Sequence, residues 1–263
     1  MSLPATNLQA TPLAVIAQAD ELTTEQMQRI ANWTNFSETT FLLTPEDSHA
    51  DYKVRIFTPK NELPFAGHPT LGTARVWQEL GGEPKAEAKI IQECSAGLIT
   101  VKTGQKLEFA TPPLIKDGPL TATELQAACA YLGVEKSHVH GSAWVDNGPS
   151  WSALQIASAE MVRSLKPDGE APFKIGVVGM CEEREETAYE IRAFTLGYED
   201  PVTGSLHGAI AQRMRFRDLV PELYTATQGS QLGRDGLVQI HDDGENIWVG
   251  GHVGIRVKGE IFV

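Results

Sequence analysis

Hydrophobic and polar positions along the chain follow two different periods, and both periods occur in each half. Alternation at every second residue predicts a strand, and recurrence every three or four residues predicts a helix. In the first half the pattern predicts helices that begin near Thr23 and at Gly67, and strands over 13–17, 39–43, 52–57, 89–92, 98–101 and 107–110. This mixture indicates an α+β fold.

The second half repeats this order of elements. A capping box formed by Thr121 and Glu124 predicts another helix. The pattern then predicts a helix from Gly204 and strands over 151–156, 174–178, 189–194, near Val238, near Ile247 and over 253–257. Between the halves, the proline- and glycine-containing stretch 111–119 is typical of a linker. We therefore expect two domains, 1–113 and 114–263.

One segment occurs twice. Residues 55–74 align without a gap to residues 192–211, with seven identities: Arg55/Arg192, Phe57/Phe194, Thr58/Thr195, Glu62/Glu199, Pro64/Pro201, Gly67/Gly204 and Ala74/Ala211. Each copy leads from a strand through a Glu-x-Pro turn to a glycine at which a helix is predicted to begin. Such a helix N-terminus has unpaired N–H groups and a partial positive charge, so it can bind a carboxylate or a phosphate.

The two copies differ at positions where a purely structural repeat has no need to differ. The residue after the glycine is His68 in one copy and Ser205 in the other, and Asp200 replaces Leu63. These differences predict a site in which the two copies perform different chemical tasks. The alternative is a strand–turn–helix repeat that serves only as scaffold.

Charge and cysteine content narrow the class of protein. The formal net charge is −12, from 34 acidic and 22 basic residues, so a nucleic acid or an acidic membrane would be repelled. Three cysteines without a C-x-x-C pair fit a reducing compartment. No apolar run reaches the roughly 20 residues that span a bilayer, and the start does not have the pattern of a signal peptide. We expect a cytoplasmic protein.

Six segments, in order along most of the chain, carry a family likeness: Ser37-Glu-Thr-Thr-Phe41, Arg55-Ile-Phe-Thr58, Glu62-Leu-Pro-Phe-Ala-Gly-His-Pro-Thr-Leu-Gly72, Gln92-Glu-Cys-Ser-Ala-Gly97, Glu199-Asp-Pro-Val-Thr-Gly-Ser205 and Val249-Gly-Gly251. Together they resemble the PhzF-like (phenazine-biosynthesis) proteins. This resemblance specifies a family much more closely than it specifies a substrate.

The resemblance implies a diaminopimelate-epimerase-like fold, with two similar domains, each a sheet wrapped around a central helix, and an active site in the cleft between them. It implies that Glu38 is the general acid/base, with His68 and Asp200 beside it. A small carboxylate-bearing substrate would be held around the two helix starts, by Gly67, Thr203, Gly204 and Ser205. No cofactor and no metal are implied, and a homodimer is expected.

Each candidate also has a simpler interpretation from the residues alone. Glu38 could be a solvated loop acid, His68 could bond to the backbone at a helix start, and Asp200 could orient a turn or cap a helix. Ser205 lies in Thr-Gly-Ser-Leu-His-Gly, which is not the G-x-S-x-G motif of a hydrolase nucleophile. The pair His138 and His140 has no third ligand in evidence and is best interpreted as surface histidines.

Thiol chemistry is disfavoured by the same resemblance. In the related amino-acid epimerases a cysteine precedes the glycine of each repeat, whereas here those positions hold Ala66 and Thr203. We therefore expect a cofactor-independent isomerase that uses one carboxyl group as acid and base. A non-catalytic metabolite-binding or scaffolding protein is the second hypothesis, and a thiol-dependent epimerase is the third.

The N-terminus departs from the family pattern. Family members open with an apolar strand and a Gly-Asn-Pro turn, whereas this chain has Ala10-Thr11 before Pro12 and no apolar strand ahead of them. The first domain is thus expected to be trimmed at that edge, leaving an edge strand that a partner could cover.

Overall fold

The structure is a computed structural model, which describes residues 10–104, 106–182 and 184–262. The chain forms two compact units. The first comprises the described residues of Met1–Ala110 and Gly250–Val263, and the second comprises those of Thr111–Val249. Among the described residues no helix is both long enough and apolar enough to cross a bilayer.

The elements of the first unit are β1 Leu13–Ile16, α1 Thr24–Thr34, β2 Glu38–Leu43, β3 Tyr52–Phe57, β4 Glu62–Leu63, α2 Gly67–Glu79, β5 Lys89–Cys94, β6 Gly97–Lys102 and β7 Leu107–Ala110. Its strands form a mostly antiparallel sheet in the order β1-β2-β3-β5-β6-β7, with β4 paired to β3. Parallel pairing occurs between β1 and β2 and between β3 and β5.

The elements of the second unit are β8 Lys116–Gly118, α3 Ala122–Leu132, β9 Val139–Asp146, β10 Ser152–Ile156, α4 Ala159–Ser164, β11 Ile175–Met180, β12 Tyr189–Phe194, β13 Glu199–Asp200, α5 Gly204–Phe216, β14 Leu223–Gln228 and β15 Gly236–Asp242, followed by β16 Ile247–Gly251. Its strands form a longer sheet in the order β8-β9-β10-β11-β12-β14-β15, with β13 paired to β12. Here β10 pairs in parallel with β11, and β12 pairs in parallel with β14.

A central helix organises each unit. Helix α2 packs against β1, β2, β5 and β7, and α5 packs against β9 and β15. The α2 helix lies so close to β1 that a Cβ on Gly72 would stand 2.3 Å from the end of the Leu13 side chain, which would have to move aside for any larger residue. Each sheet therefore wraps around its helix, as the family resemblance implies.

The sequence repeat corresponds to a structural repeat. The order β1-α1-β2-β3-β4-α2-β5-β6 of the first unit recurs as β10-α4-β11-β12-β13-α5-β14-β15 in the second, with the same parallel and antiparallel pairings. In both copies an arginine on the long strand binds a glutamate on the two-residue strand through two hydrogen bonds, in Arg55–Glu62 and Arg192–Glu199. Both predicted helix starts, at Gly67 and Gly204, are confirmed.

Two secondary-structure predictions from the sequence were wrong. Part of the predicted linker is strand β8, which pairs with β9 through Lys116 opposite Asp146, and 253–257 forms no strand. The sequence-based division places 250–263 with the second half, whereas the structure groups that segment with the first unit. There Ile261 packs against the core around Phe41 and Phe57. The predicted absence of an opening strand concerns residues 1–9, which lie outside the described residues.

Candidate functional site

Glu38 and His68 meet within the first unit. Glu38 is the first residue of β2 and is only 8% exposed, and His68 is the second residue of α2. The Glu38 Oε2 and His68 Nε2 atoms are 3.0 Å apart. Both atoms are buried, and their contact does not have hydrogen-bond alignment. A loose contact of this kind is common for catalytic groups before a substrate binds.

The strand period explains why Glu38 points towards α2. Glu38 and Thr40 are two residues apart on β2, so their side chains leave the same face of the sheet. Thr40 Oγ1 accepts a hydrogen bond of 2.8 Å from Thr73 Oγ1 of α2. This bond joins β2 to α2 and thereby holds Glu38 beside the start of the helix, where His68 lies.

The pair can hold one proton between a carboxyl oxygen and an imidazole nitrogen. If His68 Nε2 carries the proton, it donates towards the Glu38 carboxylate; if Glu38 carries it, the nitrogen accepts. Burial of the two facing atoms keeps water from competing for that proton. The arrangement is therefore suited to moving one proton to and from a ligand, and the solvated-loop interpretation of Glu38 does not describe it.

Asp200 and Thr203 meet within the second unit. Thr203 Oγ1 donates a short hydrogen bond of 2.6 Å to Asp200 Oδ2. The buried amide of Gln228 donates to Thr203 Oγ1 at 3.0 Å and to the Asp200 carbonyl at 2.7 Å, and its oxygen accepts from the Thr203 N–H at 2.9 Å. The Gln228 side chain thus holds both the backbone turn at Asp200 and the Thr203 hydroxyl that donates to the Asp200 carboxylate.

Ser205 is oriented by two residues from the segment that joins β9 to β10. Trp151 Nε1 donates to Ser205 Oγ at 3.3 Å, and Asn147 Nδ2 donates to the Ser205 carbonyl at 2.9 Å. The indole N–H can only donate, so it occupies an acceptor position of the hydroxyl and leaves the Ser205 O–H to donate elsewhere. A serine held in this way favours an anionic or carbonyl oxygen as its ligand.

The two helix starts of the repeat differ from the other α-helices. In α1, α3 and α4 a side chain caps the first turn, from Thr23, Thr121 and Ser158 respectively. In α2 and α5 the capping positions, Ala66 and Thr203, make no such bond. The Thr203 hydroxyl is committed to Asp200 instead. Backbone N–H groups at both starts are thus left without a side-chain cap, as an anion-binding helix terminus requires.

The cysteines and the paired histidines lie elsewhere. Cys94 and Cys129 are buried, and burial raises the pKa of both thiols. Burial also raises the pKa of Cys181, with the Glu185 carboxylate adding to the effect. His138 and His140 are exposed. In the part of the chain that the structure describes, no three His, Cys, Asp or Glu residues cluster closely enough to hold a metal ion.

Sequence reasoning missed Trp151, Asn147 and Gln228 as supports of the site. Gln228 had a detectable signal, because it corresponds to Gln92 of the first copy: both are buried glutamines on the strand after the central helix. Gln92 and Gln228 are 136 positions apart, whereas the two copies of the repeat are offset by 137, so an alignment of the copies without gaps does not place these glutamines opposite each other. Trp151 opens a predicted strand and Asn147 precedes it, but neither residue belongs to a motif that indicates a role in the site.

The fold and these two groups of residues, one in each unit, define an epimerase-like α+β protein, built on a repeated strand–turn–helix with a buried carboxyl–imidazole pair in its first copy. The chain belongs to the PhzC-PhzF family, described as phenazine biosynthesis-like protein, whose model matches residues 5–259. The family resemblance drawn from the sequence motifs is therefore confirmed.

Curated relatives cover nearly the whole chain. Antisense-enhancing sequence 1 of Schizosaccharomyces pombe is 32% identical, over 96% of this chain and 93% of its own length. The trans-2,3-dihydro-3-hydroxyanthranilate isomerase of Pseudomonas aeruginosa is 30% identical, over 90% of this chain and 86% of its own length.

Solved structures show the same fold. A PhzF-family phenazine biosynthesis protein of Bacillus anthracis superimposes with a TM-score of 0.79 at 23% identity, covering 93% of this chain and 91% of that one. A probable proline racemase of Agrobacterium radiobacter has a TM-score of 0.52 at 11% identity, covering 87% and 78%. The predicted epimerase-like fold is confirmed.

Proposed function

We propose that the protein is a cofactor-independent isomerase that moves a proton between carbon atoms of a small carboxylate-bearing metabolite, with Glu38 as the general acid/base. The observation that carries this proposal is the buried contact of 3.0 Å between Glu38 Oε2 and His68 Nε2 at an uncapped helix start. The relationship to a named isomerase of Pseudomonas aeruginosa supports the same reaction class.

In the proposed reaction Glu38 removes a proton from an acidic carbon of an unsaturated ring or chain. The C–H bond breaks, an O–H bond forms on the carboxyl group, and the double bond shifts by one position. Glu38, whose acidic proton can exchange with solvent, then delivers a proton to the third carbon, which restores its carboxylate. His68 Nε2 lies 3.0 Å from the Glu38 carboxyl oxygen. It can donate to the Glu38 carboxylate or accept from the protonated carboxyl group, so it stabilises both forms of Glu38.

The substrate carboxylate is assigned to the helix starts. The uncapped N–H groups at Gly67 and Gly204 offer donors and partial positive charge. The Ser205 hydroxyl, kept as a donor by Trp151, adds a hydrogen bond. Asp200, held by Thr203, would accept a hydrogen bond from a hydroxyl or amino group of the substrate.

Proton NMR in D2O tests the proposal. The probes are cyclic unsaturated carboxylates, beginning with trans-2,3-dihydro-3-hydroxyanthranilate because a relative is named for acting on it. Glu38→Gln removes the acid/base in nearly the same shape, so turnover should fall by about 100- to 10,000-fold. The matched control is Glu21→Gln, at an exposed glutamate of the same unit, which should behave like the wild type.

The outcomes separate the hypotheses. Deuterium uptake or rearrangement with the wild type and Glu21→Gln, but not with Glu38→Gln, supports the assignment. Uptake by Glu38→Gln at the wild-type rate would remove Glu38 from the mechanism. Line broadening of the probes without exchange by any variant would favour the metabolite-binding hypothesis. Loss of wild-type exchange on cysteine alkylation would favour the thiol-dependent one.

The homodimer stays a prediction. Light scattering that gives twice the chain mass of 28.6 kDa would support it, and a monomer mass would contradict it.

A further inference from the structure

We propose that Gln228 is a positioning residue of the second unit: it holds Asp200 as an ionised hydrogen-bond acceptor and thereby leaves proton transfer to Glu38. This inference rests on the proposed isomerase function, in which Asp200 contacts the substrate. Gln228 is 1% exposed and is the last residue of β14.

The hydrogen bonds around Gln228 have a defined direction. Gln228 Nε2 can only donate, so Thr203 Oγ1 accepts from it at 3.0 Å. The Thr203 hydroxyl proton is then directed to Asp200 Oδ2, 2.6 Å away. A carboxyl oxygen that receives a proton from a neighbour is most stable without a proton of its own, so this chain of bonds favours the Asp200 carboxylate. The Lys174 ammonium interacts electrostatically with Asp200 and acts in the same direction.

Gln228 also fixes the turn that carries Asp200. The second hydrogen of Nε2 is directed to the Asp200 carbonyl at 2.7 Å, and Oε1 accepts from the Thr203 N–H at 2.9 Å. The next residue, Gly229, has a φ of +92°, and a Cβ there would stand 2.6 Å from the Pro201 carbonyl oxygen. The backbone after Gln228 therefore packs directly onto the Asp200–Pro201 turn, where only glycine fits.

The first unit contains a matched control. Gln92 occupies the corresponding strand, is 0% exposed and donates to Thr70 Oγ1 at 2.9 Å, while its oxygen accepts from the Tyr52 hydroxyl at 3.0 Å. Its amide thus supports a helix in the same way. The hydrogen bonds of its side chain reach neither Glu38 nor His68. Loss of either glutamine removes a buried amide. Only loss of Gln228 removes the hydrogen bonds that its amide donates to the Asp200 carbonyl and to the Thr203 hydroxyl.

The test compares Gln228→Met with Gln92→Met in the full chain. Methionine keeps the approximate volume of glutamine and removes both the N–H donors and the carbonyl acceptor of its amide. Gln228→Glu is a second variant that keeps the size and the acceptor for the Thr203 N–H, so the question stays answerable if the methionine variant folds poorly. The first readout is the titration of Asp200 by 13C NMR of labelled aspartate carboxyl groups in the ligand-free protein, which requires no turnover.

We expect the titration midpoint of Asp200 to move to higher pH in both Gln228 variants and to stay at the wild-type value in Gln92→Met. On a substrate identified by deuterium exchange, kcat should fall by roughly 10- to 100-fold in Gln228→Met, because small misplacements of catalytic groups have effects of that order. KM should change little, since the helix-start donors remain. Gln92→Met should keep the wild-type kcat.

An Asp200 midpoint that is equal in the wild type and in both Gln228 variants would overturn the inference, whatever the activity. Equal loss of kcat in Gln228→Met and Gln92→Met would show that both glutamines act only through stability, and would overturn it as well. If the midpoint shifts as expected but no variant, wild type included, exchanges deuterium into a probe or rearranges it, the positioning role stands and the isomerase proposal fails.

Discussion

His207 is a titratable residue that the proposed mechanism does not use. It is completely buried in α5, stacked on Tyr189 with the ring centres 6.3 Å apart. Neither of its ring nitrogens makes an aligned hydrogen bond within the described residues. Burial lowers the pKa of His207 to about 4 from its ordinary value of 6.5, and the nearby Gln228 amide opposes that shift. The folded protein therefore holds this imidazole neutral at physiological pH.

This buried histidine predicts loss of stability in mild acid. Between pH 6.5 and about 4 the unfolded chain binds a proton at His207 that the folded chain does not bind. The free energy of unfolding is therefore unaffected by this group above pH 6.5 and decreases as pH falls towards 4. The full loss is on the order of 3 kcal/mol. Urea unfolding at pH 7.5 and 4.5 measures how far the free energy of unfolding falls between the two pH values. This fall should be smaller for His207→Phe, which keeps a ring against Tyr189, than for the wild type. Equal decreases in the two proteins would contradict this.

At the scale of elements, each repeat is fastened by an arginine–glutamate pair. The Arg192–Glu199 side chains are 6% and 11% exposed, whereas Arg55–Glu62 are 23% and 31% exposed. Arg192 also donates to the Leu165 carbonyl at 2.6 Å, which ties β12 to the end of α4. The same pair thus lies in two different environments, and its contribution to stability should differ accordingly.

Removing one partner from each pair measures this difference. Glu199→Gln leaves the buried Arg192 charge without a full partner and should lower the free energy of unfolding by about 3–5 kcal/mol. Glu62→Gln, at the more exposed pair, should lower it by about 1 kcal/mol or less. Chemical denaturation of both variants is the measurement. Similar losses would show that burial does not decide the strength of these pairs.

At the scale of the whole molecule, the last described residues belong to the same unit as the described residues of Met1–Ala110. Lys258 Nζ donates to Glu79 Oε1 of α2 at 2.6 Å, and Ile261 packs against the core that contains Met27 and Phe41. The next residue, Phe262, is 90% exposed. The first unit is therefore assembled from two distant parts of the sequence.

Neighbouring residues of this tail provide a paired test. Ile261→Ala removes a partly buried side chain and should lower the free energy of unfolding by about 1–2 kcal/mol. Phe262→Ala removes an exposed one and should change it by no more than about 0.5 kcal/mol. Thermal and urea unfolding give both values. If Ile261→Ala is as stable as Phe262→Ala, the tail does not support the first unit.

Much of the fold could be predicted because its signals are local. The capping boxes at Thr23 and Thr121 and the helix starts at Gly67 and Gly204 depend on residues within a few positions of one another. The candidate residues named from the family motifs lie beside those helix starts. Bringing Glu38 within 3.0 Å of His68, however, required the pairing of β2 with its neighbours and its packing on α2.

The sequence by itself determined the repeated strand–turn–helix, its two helix starts at glycine and the family, since periodicity, turn residues and motifs depend on adjacent positions. Only the tertiary structure decided that Lys116–Gly118 is a strand, that the tail joins the first unit, that both glycine starts lack a side-chain cap, and that Trp151 and Gln228 orient Ser205 and Thr203. The physical reason is that these contacts join residues far apart in the chain. Which residues meet depends on which strands and helices pack together, and a local sequence pattern does not specify that packing.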